Sequence, residues 1–425
     1  MSLYCAKRNM DVENSLAAFP AEPALGRPHA AFRSDVRTKC VGAVATALLV
    51  LAGCGGCGIS APGSAPPTAG MKPPSKIGAG EGTLNLITWP GYTDASWVDP
   101  FTQQTGCQVS AQFATSASDM VTLMANGGGG NWDMVSAPGD VTLRLIYSGD
   151  VRPMNIGLIP DYANFLPQLK SPAFNTVDGV HYGISLQWGP NVLLYNVHTF
   201  TVPPTSWAVV YDPTYSGLIT VPDNPYQIAD AALYLTKKEP SLKITDPYEL
   251  TKPQFDAAVA LLKAQRPLVK AYWGSAPQEI SLFQNDDVEV GAAWPYQTST
   301  LRTASAPVND TIPAAEGATG WADSWMLATK ARHPNCAYLW TRYISTAKVQ
   351  AMQAVNYGET PVNRNACREM DAIQPGSCAQ YHADAPASDI ANIRFKKTPL
   401  ATCNDGSNKC IPYAMWQTAW AGITA

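Results

Sequence analysis

Hydrophobic and polar positions follow a strand–helix order in the first half of the chain. Three segments have the two-residue period of strands or a short apolar run, and they are residues 84–89, 108–113 and 133–136. Two segments between them are typical of helices, and they are residues 96–105 and 119–125. Gly106 ends the first helix, and Ser116 or Ser118 can cap the second. This β–α–β–α–β order predicts an α/β fold with a parallel sheet.

The second half of the chain continues the mixture of strands and helices. Residues 182–196 are apolar and aromatic, and we expect them to form one long strand. Two further strands are expected at residues 288–294 and from residue 326 onward, and helices are expected at residues 256–265, 336–345 and 348–355.

Aromatic residues are found at strand ends and turns. In open parallel sheets, ligands bind beyond the carboxyl ends of the strands. Any one of these rings could instead be a core residue, but their shared position favours a common site. Aromatic faces together with a carboxylate bind an ammonium group well. The aromatic candidates are Trp89, Tyr92, Trp294, Trp321 and Tyr357, and the acidic candidates are Asp140 and Asp323.

Composition and motifs argue against several other functions. The net charge is −4, which disfavours a general nucleic-acid-binding protein. The chain has five His and no HExxH, GxSxG or P-loop motif. We read Asp286-Asp287-x-Glu289 as a solvated turn and expect no catalytic residue, no cofactor and no metal. A secreted hydrolase is the less favoured alternative.

The N-terminal region is typical of a bacterial lipoprotein. Basic residues precede an apolar run at residues 41–51, which is shorter than the roughly 20 residues of a spanning helix and ends in Leu51-Ala52-Gly53-Cys54. We therefore expect residues 1–53 to be a signal peptide with an atypical N-terminal extension, with translation starting near residue 33. Cys54 is the expected lipidation site, and residues 54–80 the expected flexible tether. The protein would be extracytoplasmic, in a periplasm or on an outer surface, and anchored to the membrane by lipid.

An oxidising compartment predicts disulfides among the later cysteines. Cys403–Cys410 and Cys367–Cys378 each flank a turn-rich loop, which leaves Cys107–Cys336 as a long-range pair. A zinc site is the competing interpretation, and it is disfavoured because no CxxC recurs.

Several motifs in this order resemble the spermidine/putrescine-binding lipoproteins of ABC importers, which belong to the periplasmic-binding-protein class. The resemblance extends from about residue 84 to residue 361, with a weaker continuation to residue 425. The motifs are Leu84-x-x-x-x-Trp89-x-x-Tyr92, Pro100-Phe101-Thr102-x-x-Thr105-Gly106, Trp132-Asp133-Met134-Val135, Tyr182-Gly183-Ile184-x-x-x-Trp188-Gly189, Trp321-x-Asp323-Ser324 and Tyr357-x-x-x-Pro361.

The resemblance implies a type II-like fold of two α/β lobes joined by hinge strands. Lobe one would comprise residues 81–188 and 322–360, and lobe two residues 189–321 and 361–425. It also implies a monomer that holds a small cationic amine in the cleft and delivers it to a membrane permease. Trp321 and Asp323 would lie on a hinge strand, Tyr357 near a crossover, and Asp323 would pair with an amine.

Two departures from the family pattern affect the expected ligand. An Asp and a Glu that hold a terminal ammonium align with Asn224 and Gln227, although a one-residue shift would align Asp223 instead. An expected Tyr aligns with Asp140, which is either a new ligand carboxylate or the N-cap of a helix at residues 141–147. The neutral pair favours a short diamine or γ-aminobutyrate over spermidine. A surface sensor with the same fold is the alternative to an importer subunit.

Overall fold

The computed structural model describes residues 65–425, which form two mixed β-sheets with helices on their faces. The predicted α/β class is confirmed. The strands are β1 (Thr83–Thr88), β2 (Gln108–Phe113), β3 (Met134–Pro138), β4 (Thr176–Val177), β5 (Val180–His181), β6 (Gly183–Pro190), β7 (Val192–Asn196), β8 (Ile219–Pro222), β9 (Val269–Trp273), β10 (Val290–Ala293), β11 (Val308–Thr311), β12 (Ala318–Leu327), β13 (Thr360–Pro361) and β14 (Ile393–Phe395).

Helices cover both sheets and fill the connections. They are α1 (Ala95–Thr105), α2 (Ala117–Met124), α3 (Gly139–Tyr147), α4 (Pro167–Lys170), α5 (Gln227–Lys238), α6 (Lys252–Gln265), α7 (Ala276–Gln284), α8 (Pro295–Thr303), α9 (Pro334–Ile344), α10 (Ala347–Tyr357), α11 (Ala366–Ile373), α12 (Ser377–Gln380), α13 (Ala387–Ala391) and α14 (Tyr413–Thr424). No helix among the described residues is both long and apolar enough to cross a membrane.

The first sheet belongs to lobe one and has the order β13-β6-β12-β3-β1-β2, with β14 beside β12. Strands β1, β2 and β3 are parallel, as the sequence predicted. Strand β12 runs antiparallel to β3 and β6 and parallel to β14, and β6 is also antiparallel to β13. Local signals account for the boundaries. Ser116 caps α2 by accepting from the Asp119 amide, and Gly106 ends α1 with a φ of 72°.

The second sheet belongs to lobe two and has the order β11-β7-β10-β8-β9. Its strands β8, β9 and β10 are parallel, and β7 and β11 extend it in antiparallel fashion. A two-stranded sheet of β4 and β5 stands apart. The predicted helix at residues 256–265 begins earlier, because Thr251 and Gln254 form a capping box in front of α6.

The expected single strand at residues 182–196 is in fact two strands in different sheets. β6 pairs in lobe one and β7 in lobe two, with Asn191 at the junction. There the Asn191 amide donates to the Thr319 carbonyl at 2.8 Å, and its side-chain amide donates to the Thr319 hydroxyl at 2.7 Å. Both strands are fully buried, so the apolar run does not reveal the change of sheet.

The strand expected to begin at residue 326 instead ends one residue later. β12 extends over Ala318–Leu327 and lies between β3 and β6. A central strand is covered on both faces and shows no hydrophobic alternation, which explains why its first part was missed. The chain passes from β11 in lobe two to β12 in lobe one, and it returns to lobe two after β14, where α14 packs against α6.

The strand pairing divides the lobes differently from the expected boundaries. Residues 318–321 and β14 belong to the sheet of lobe one rather than to lobe two. Helix α11 packs against α10, also on the lobe-one side. Tyr357 is the last residue of α10, and the next strand, β13, pairs with β6 in the sheet of lobe one. The chain therefore does not cross between the lobes at Tyr357, contrary to the expectation.

Part of the expected flexible tether is packed on lobe one. Thr68 is buried and donates its hydroxyl hydrogen to the Val151 carbonyl at 2.8 Å. The Gly78 amide donates to the Asn335 side chain at 2.7 Å. The expected signal peptide, the lipidation site Cys54 and the start of the tether lie outside the described residues.

The three expected disulfides are present, so the predicted pairing is confirmed. Their Cα–Cα separations are 5.8 Å for Cys107–Cys336, 5.0 Å for Cys367–Cys378 and 5.4 Å for Cys403–Cys410. The first joins the start of β2 to α9 within lobe one.

Candidate functional site

A cavity of about 430 Å³ lies between the lobes and contains most of the predicted site residues. Lobe one contributes residues from the ends of β1 and β3, from β12 and from the segment after α10, while lobe two contributes residues around the start of α8. Its aromatic residues are Trp89, Tyr92, Trp294, Tyr296, Trp321 and Tyr357, and its charged residues are Asp140, Asp323, Glu359 and Lys396.

The turn after β1 positions Trp89 and Tyr92. The Tyr92 amide donates to the Trp89 carbonyl, and Gly91 between them has a φ of 92°. A Cβ at Gly91 would lie 2.4 Å from the Tyr357 ring, so glycine is required for that ring to approach the turn. The Tyr92 and Tyr357 rings then meet edge to face with centroids 5.1 Å apart.

Strand β12 carries Trp321 and Asp323 into the cavity. Both residues are at alternate positions of the strand, and its pairing with β6 shifts register between Ala322 and Ser324. Such a bulge re-aims a side chain locally. A Cβ at Gly189 on β6 would lie 2.7 Å from the Trp321 ring, so the missing side chain makes room for the indole.

Two buried carboxyl groups meet at the Tyr92 hydroxyl. Asp323 Oδ2 accepts from Tyr92 at 2.8 Å and from the Trp89 indole nitrogen at 3.0 Å. The Glu359 oxygens lie 3.1 and 3.2 Å from the same hydroxyl. Only 3% of Asp323 and 7% of Glu359 is exposed to solvent.

Burial changes the protonation of this group. Loss of hydration raises the pKa of Asp323 to about 7, with a smaller contribution from the Asp140 carboxylate. Burial and the neighbouring Asp323 also raise the pKa of Glu359 well above its usual range. The pKa of Tyr92 is raised for the same reasons, so its hydroxyl remains protonated.

Sequence reasoning missed Glu359, Tyr296 and Lys396. Glu359 is a lone acid between a helix and a two-residue strand, where an exposed residue is the ordinary expectation. Its only signal is its position two residues after Tyr357. The Lys396 ammonium lies 4.9 Å from the Tyr226 ring centroid, a contact that joins the lobes and cannot be inferred from sequence spacing.

Asp140 lines the cavity, and its expected alternative role as an N-cap is wrong. Helix α3 begins at Gly139, with Pro138 as its N-cap residue, so Asp140 lies in the first helical turn. Its backbone carbonyl accepts from the hydroxyl groups of Thr398 at 2.7 Å and Tyr226 at 3.3 Å.

Asn224 and Gln227 do not line this cavity, contrary to expectation. Asn224 accepts from the Tyr226 amide at 3.0 Å in a local turn. Gln227 is buried and donates to Asp230 at 2.7 Å. Asp223, the alternative position, accepts from the Trp420 indole at 2.9 Å. Alignment with the family placed these residues in the site, but here their hydrogen bonds are made within lobe two.

The charges and rings of the cavity suit an organic cation. Three acidic side chains and one lysine line the space together with six aromatic residues. Aromatic faces attract ammonium groups, and a buried ammonium needs a carboxylate to replace its lost hydration.

Comparisons with known proteins agree with this fold. Residues 96–376 match the family described as bacterial extracellular solute-binding protein. The spermidine/putrescine-binding periplasmic protein of Escherichia coli is 24% identical over 306 residues, which cover 71% of this chain and 84% of the relative.

Solved structures show the same two-lobed architecture. A putative spermidine/putrescine ABC transporter structure from Listeria monocytogenes has a TM-score of 0.63 and 18% identity and covers 81% of this chain and 99% of that one. The structure titled Atu4243-GABA receptor has a TM-score of 0.60 and 18% identity and covers 81% of this chain and 98% of that one. The chain belongs to the bacterial extracellular solute-binding proteins.

Proposed function

We propose that this protein captures a small organic diamine of the putrescine type and delivers it to the permease of an ABC importer. The observation that carries the proposal is the pair of buried carboxyl groups, Asp323 and Glu359, among six aromatic side chains of one cavity. The relative from Escherichia coli, whose name specifies spermidine and putrescine, supports the choice of ligand class.

Charge balance supports a dication. When ionised, the three acids and Lys396 give the cavity lining a formal charge of −2. A diamine carries two positive charges and would neutralise it. A longer triamine would bring a third ammonium group into the cavity. The residues expected to pair with that group, Asn224 and Gln227, are neutral and lie elsewhere.

A zwitterionic amine such as γ-aminobutyrate is the second candidate, and Lys396 is the observation that favours it. The Lys396 ammonium lines the same cavity as Asp323 and could pair with the ligand carboxylate. The structure titled as a GABA receptor shares the fold.

The mechanism would be hinge bending without chemistry on the ligand. Ligand would bridge Asp323 and Trp321 of lobe one and Trp294 of lobe two, and so favour the closed arrangement of the lobes. The closed form would dock on the permease. A lipid at Cys54 would hold the monomeric protein near the membrane.

A thermal-shift panel tests the ligand class. Putrescine, cadaverine, spermidine, agmatine, choline and γ-aminobutyrate would be compared at pH 8 and equal concentration. Putrescine or cadaverine should give the largest rise in the unfolding temperature, because ligand binding stabilises the folded state. The largest shift from γ-aminobutyrate would favour the second candidate, and no shift from any amine would reject both.

A further inference from the structure

We propose that Glu359 and Asp323 form a single subsite that takes one primary ammonium group in exchange for a proton that the two carboxyl groups share in the empty cleft. This inference rests on the proposed function. It assigns to Glu359 a direct binding role, and it makes amine capture depend on pH.

The Tyr92 hydroxyl has too few hydrogens for the two carboxyl groups that surround it. The Tyr92 hydroxyl has one hydrogen, yet it lies between 2.8 and 3.2 Å from three carboxylate oxygens. It can donate fully to only one carboxylate. A close contact with the other carboxyl group is favourable only when that group carries a proton and donates to the tyrosine oxygen. The geometry therefore fits one proton shared by the pair.

The two acids are buried without a salt-bridge partner in the part of the chain that the structure describes. Among the described residues, neither Asp323 nor Glu359 forms a salt bridge, although both are more than nine-tenths buried. Two buried carboxylates without a direct ion pair repel each other and lose hydration. Burial raises the pKa of Asp323 to about 7 and raises that of Glu359 well above its usual value, which favours retention of a proton near neutral pH.

Other ionisable groups face the pair from the surrounding elements. Asp140 on α3 adds negative charge, and Lys396 after β14 adds positive charge, so their effects on Asp323 oppose each other. Tyr357 at the end of α10 stays neutral, since burial raises its pKa well above the usual tyrosine value, and Tyr296 on α8 also lines the cavity. The pair therefore controls the pH response near neutrality.

The exchange is balanced. The singly protonated pair and one R–NH3⁺ give the doubly ionised pair with R–NH3⁺ bound, and one proton passes to the solvent. The ammonium can then donate one hydrogen to each carboxylate while the aromatic rings surround its methylene carbon.

A comparison within the chain distinguishes this pair from an ordinary buried acid. Glu279 is also fully buried and has a raised pKa, but it accepts from Gln297 at 3.0 Å and does not line the cavity. Glu359 lies in the cavity lining beside Asp323, where a ligand can reach it.

Isothermal titration calorimetry of putrescine in phosphate and in MES, neither of which is a primary amine, tests the exchange. The difference in heat between buffers of unlike ionisation enthalpy gives the number of protons released. Wild-type protein should release about one proton per putrescine while the pair holds its shared proton, and affinity should rise about tenfold per pH unit over that range, which includes pH 6 because the pKa of Asp323 is about 7. Release should fall towards zero at higher pH, once the ligand-free pair is fully ionised.

Glu359→Gln should reduce the proton release by at least half and weaken binding at pH 8 by at least tenfold. Glu239→Gln, at an exposed site on lobe two, is the matched control and should change neither. Thermal unfolding of each variant checks folding, and the proton count of the wild-type protein does not depend on any variant.

The outcomes separate the two proposals. Putrescine binding without proton release, together with unchanged affinity in Glu359→Gln, would overturn the exchange and leave the proposed function standing. Absence of putrescine binding at every pH would overturn the proposed function and the exchange with it.

Discussion

A single tyrosine hydroxyl brings two acids together in the cleft. Tyr92 contacts both Asp323 and Glu359, and Trp89 donates a further hydrogen bond to Asp323. These bonds hold the Asp323 carboxylate in place before ligand arrives. A preorganised carboxylate loses less entropy when it binds an ammonium group.

Asp323→Asn should weaken putrescine binding by more than tenfold at pH 8, or about 1.5 kcal/mol or more, because one charged hydrogen bond is lost. Calorimetry measures the change. Asp384→Asn, at an exposed position, provides the matched control. Equal affinities for wild type and Asp323→Asn would exclude Asp323 as an ammonium partner.

Gly91→Ala should displace Tyr357 and lower both stability and ligand affinity. A Cβ there would lie 2.4 Å from the Tyr357 ring, and the φ of 92° strains any other residue. Gly406→Ala has a φ of 79° but no atom within 4 Å, so it controls for backbone strain alone. If the two variants bind putrescine equally well, the close approach to Tyr357 is unimportant.

At the residue scale, the sequence predicted site residues well where the side chain lies at the end of a strand or in the turn after it. Trp89, Tyr92 and Trp294 were predicted because they lie at strand ends, and they do line one cavity. Glu359 was missed because the residues that surround it in the cavity come from segments far away in the sequence. Asn224 and Gln227 were wrongly placed in the cavity, because an alignment gives the position of a residue in the chain but not the direction of its side chain.

The elements that cross between lobes were hardest to predict. A buried strand that changes sheets reads as one apolar run, as β6 and β7 do. The central strand β12 was only half recognised for the same reason. The three first strands and their parallel pairing were predicted because periodicity and turn residues there are local.

The segment that returns to lobe two is fastened by a buried ion cluster. Lys397 is 6% exposed, donates to Asp246 at 2.8 Å and contacts Glu249. The two acids raise its pKa above the usual lysine value, against the effect of burial. The cluster connects this segment to the loop that precedes α6.

Lys397→Met should lower the free energy of unfolding by about 3–5 kcal/mol, because two acids lose a buried partner. Chemical denaturation measures the loss. Lys252→Met is the matched control: its pair with Asp256 is exposed, and its loss should cost less than about 1 kcal/mol. Similar effects of the two substitutions would contradict a fastening role for Lys397.

Over the whole molecule, the acids of the cleft should make the ligand-free protein less stable as pH rises. The pKa of Asp323 is about 7 in the folded state and near 3.8 when unfolded. Between pH 3.8 and about pH 7, the folded protein therefore holds a proton that the unfolded chain has already released. The resulting stabilisation is complete below pH 3.8 and is lost as pH rises through 7.

Thermal unfolding between pH 5 and pH 8 measures this loss. Asp323→Asn removes the titrating group and should flatten part of the decline, and saturating putrescine should reverse it at pH 8. If the unfolding temperature of the wild-type protein rose over this pH range as steeply as that of Asp323→Asn, the result would contradict a proton held by Asp323.

The α/β class was predictable because it depends on element order, and the two-lobed architecture was indicated by the family resemblance. The exact division of the lobes was not predictable, because α11 and β14 come late in the chain but pack with lobe one. Those contacts join segments far apart in sequence, and no local pattern encodes them.

Titration calorimetry of putrescine and of butane-1,4-diol at pH 8 shows whether the cleft recognises the charge of an amine, because the two molecules match in length and differ in charge. We expect saturable binding of one putrescine per chain, and diol binding weaker by at least a hundredfold, since an alcohol cannot neutralise Asp323 and Glu359. Comparable affinities for the two ligands, or no binding of putrescine, would contradict this expectation.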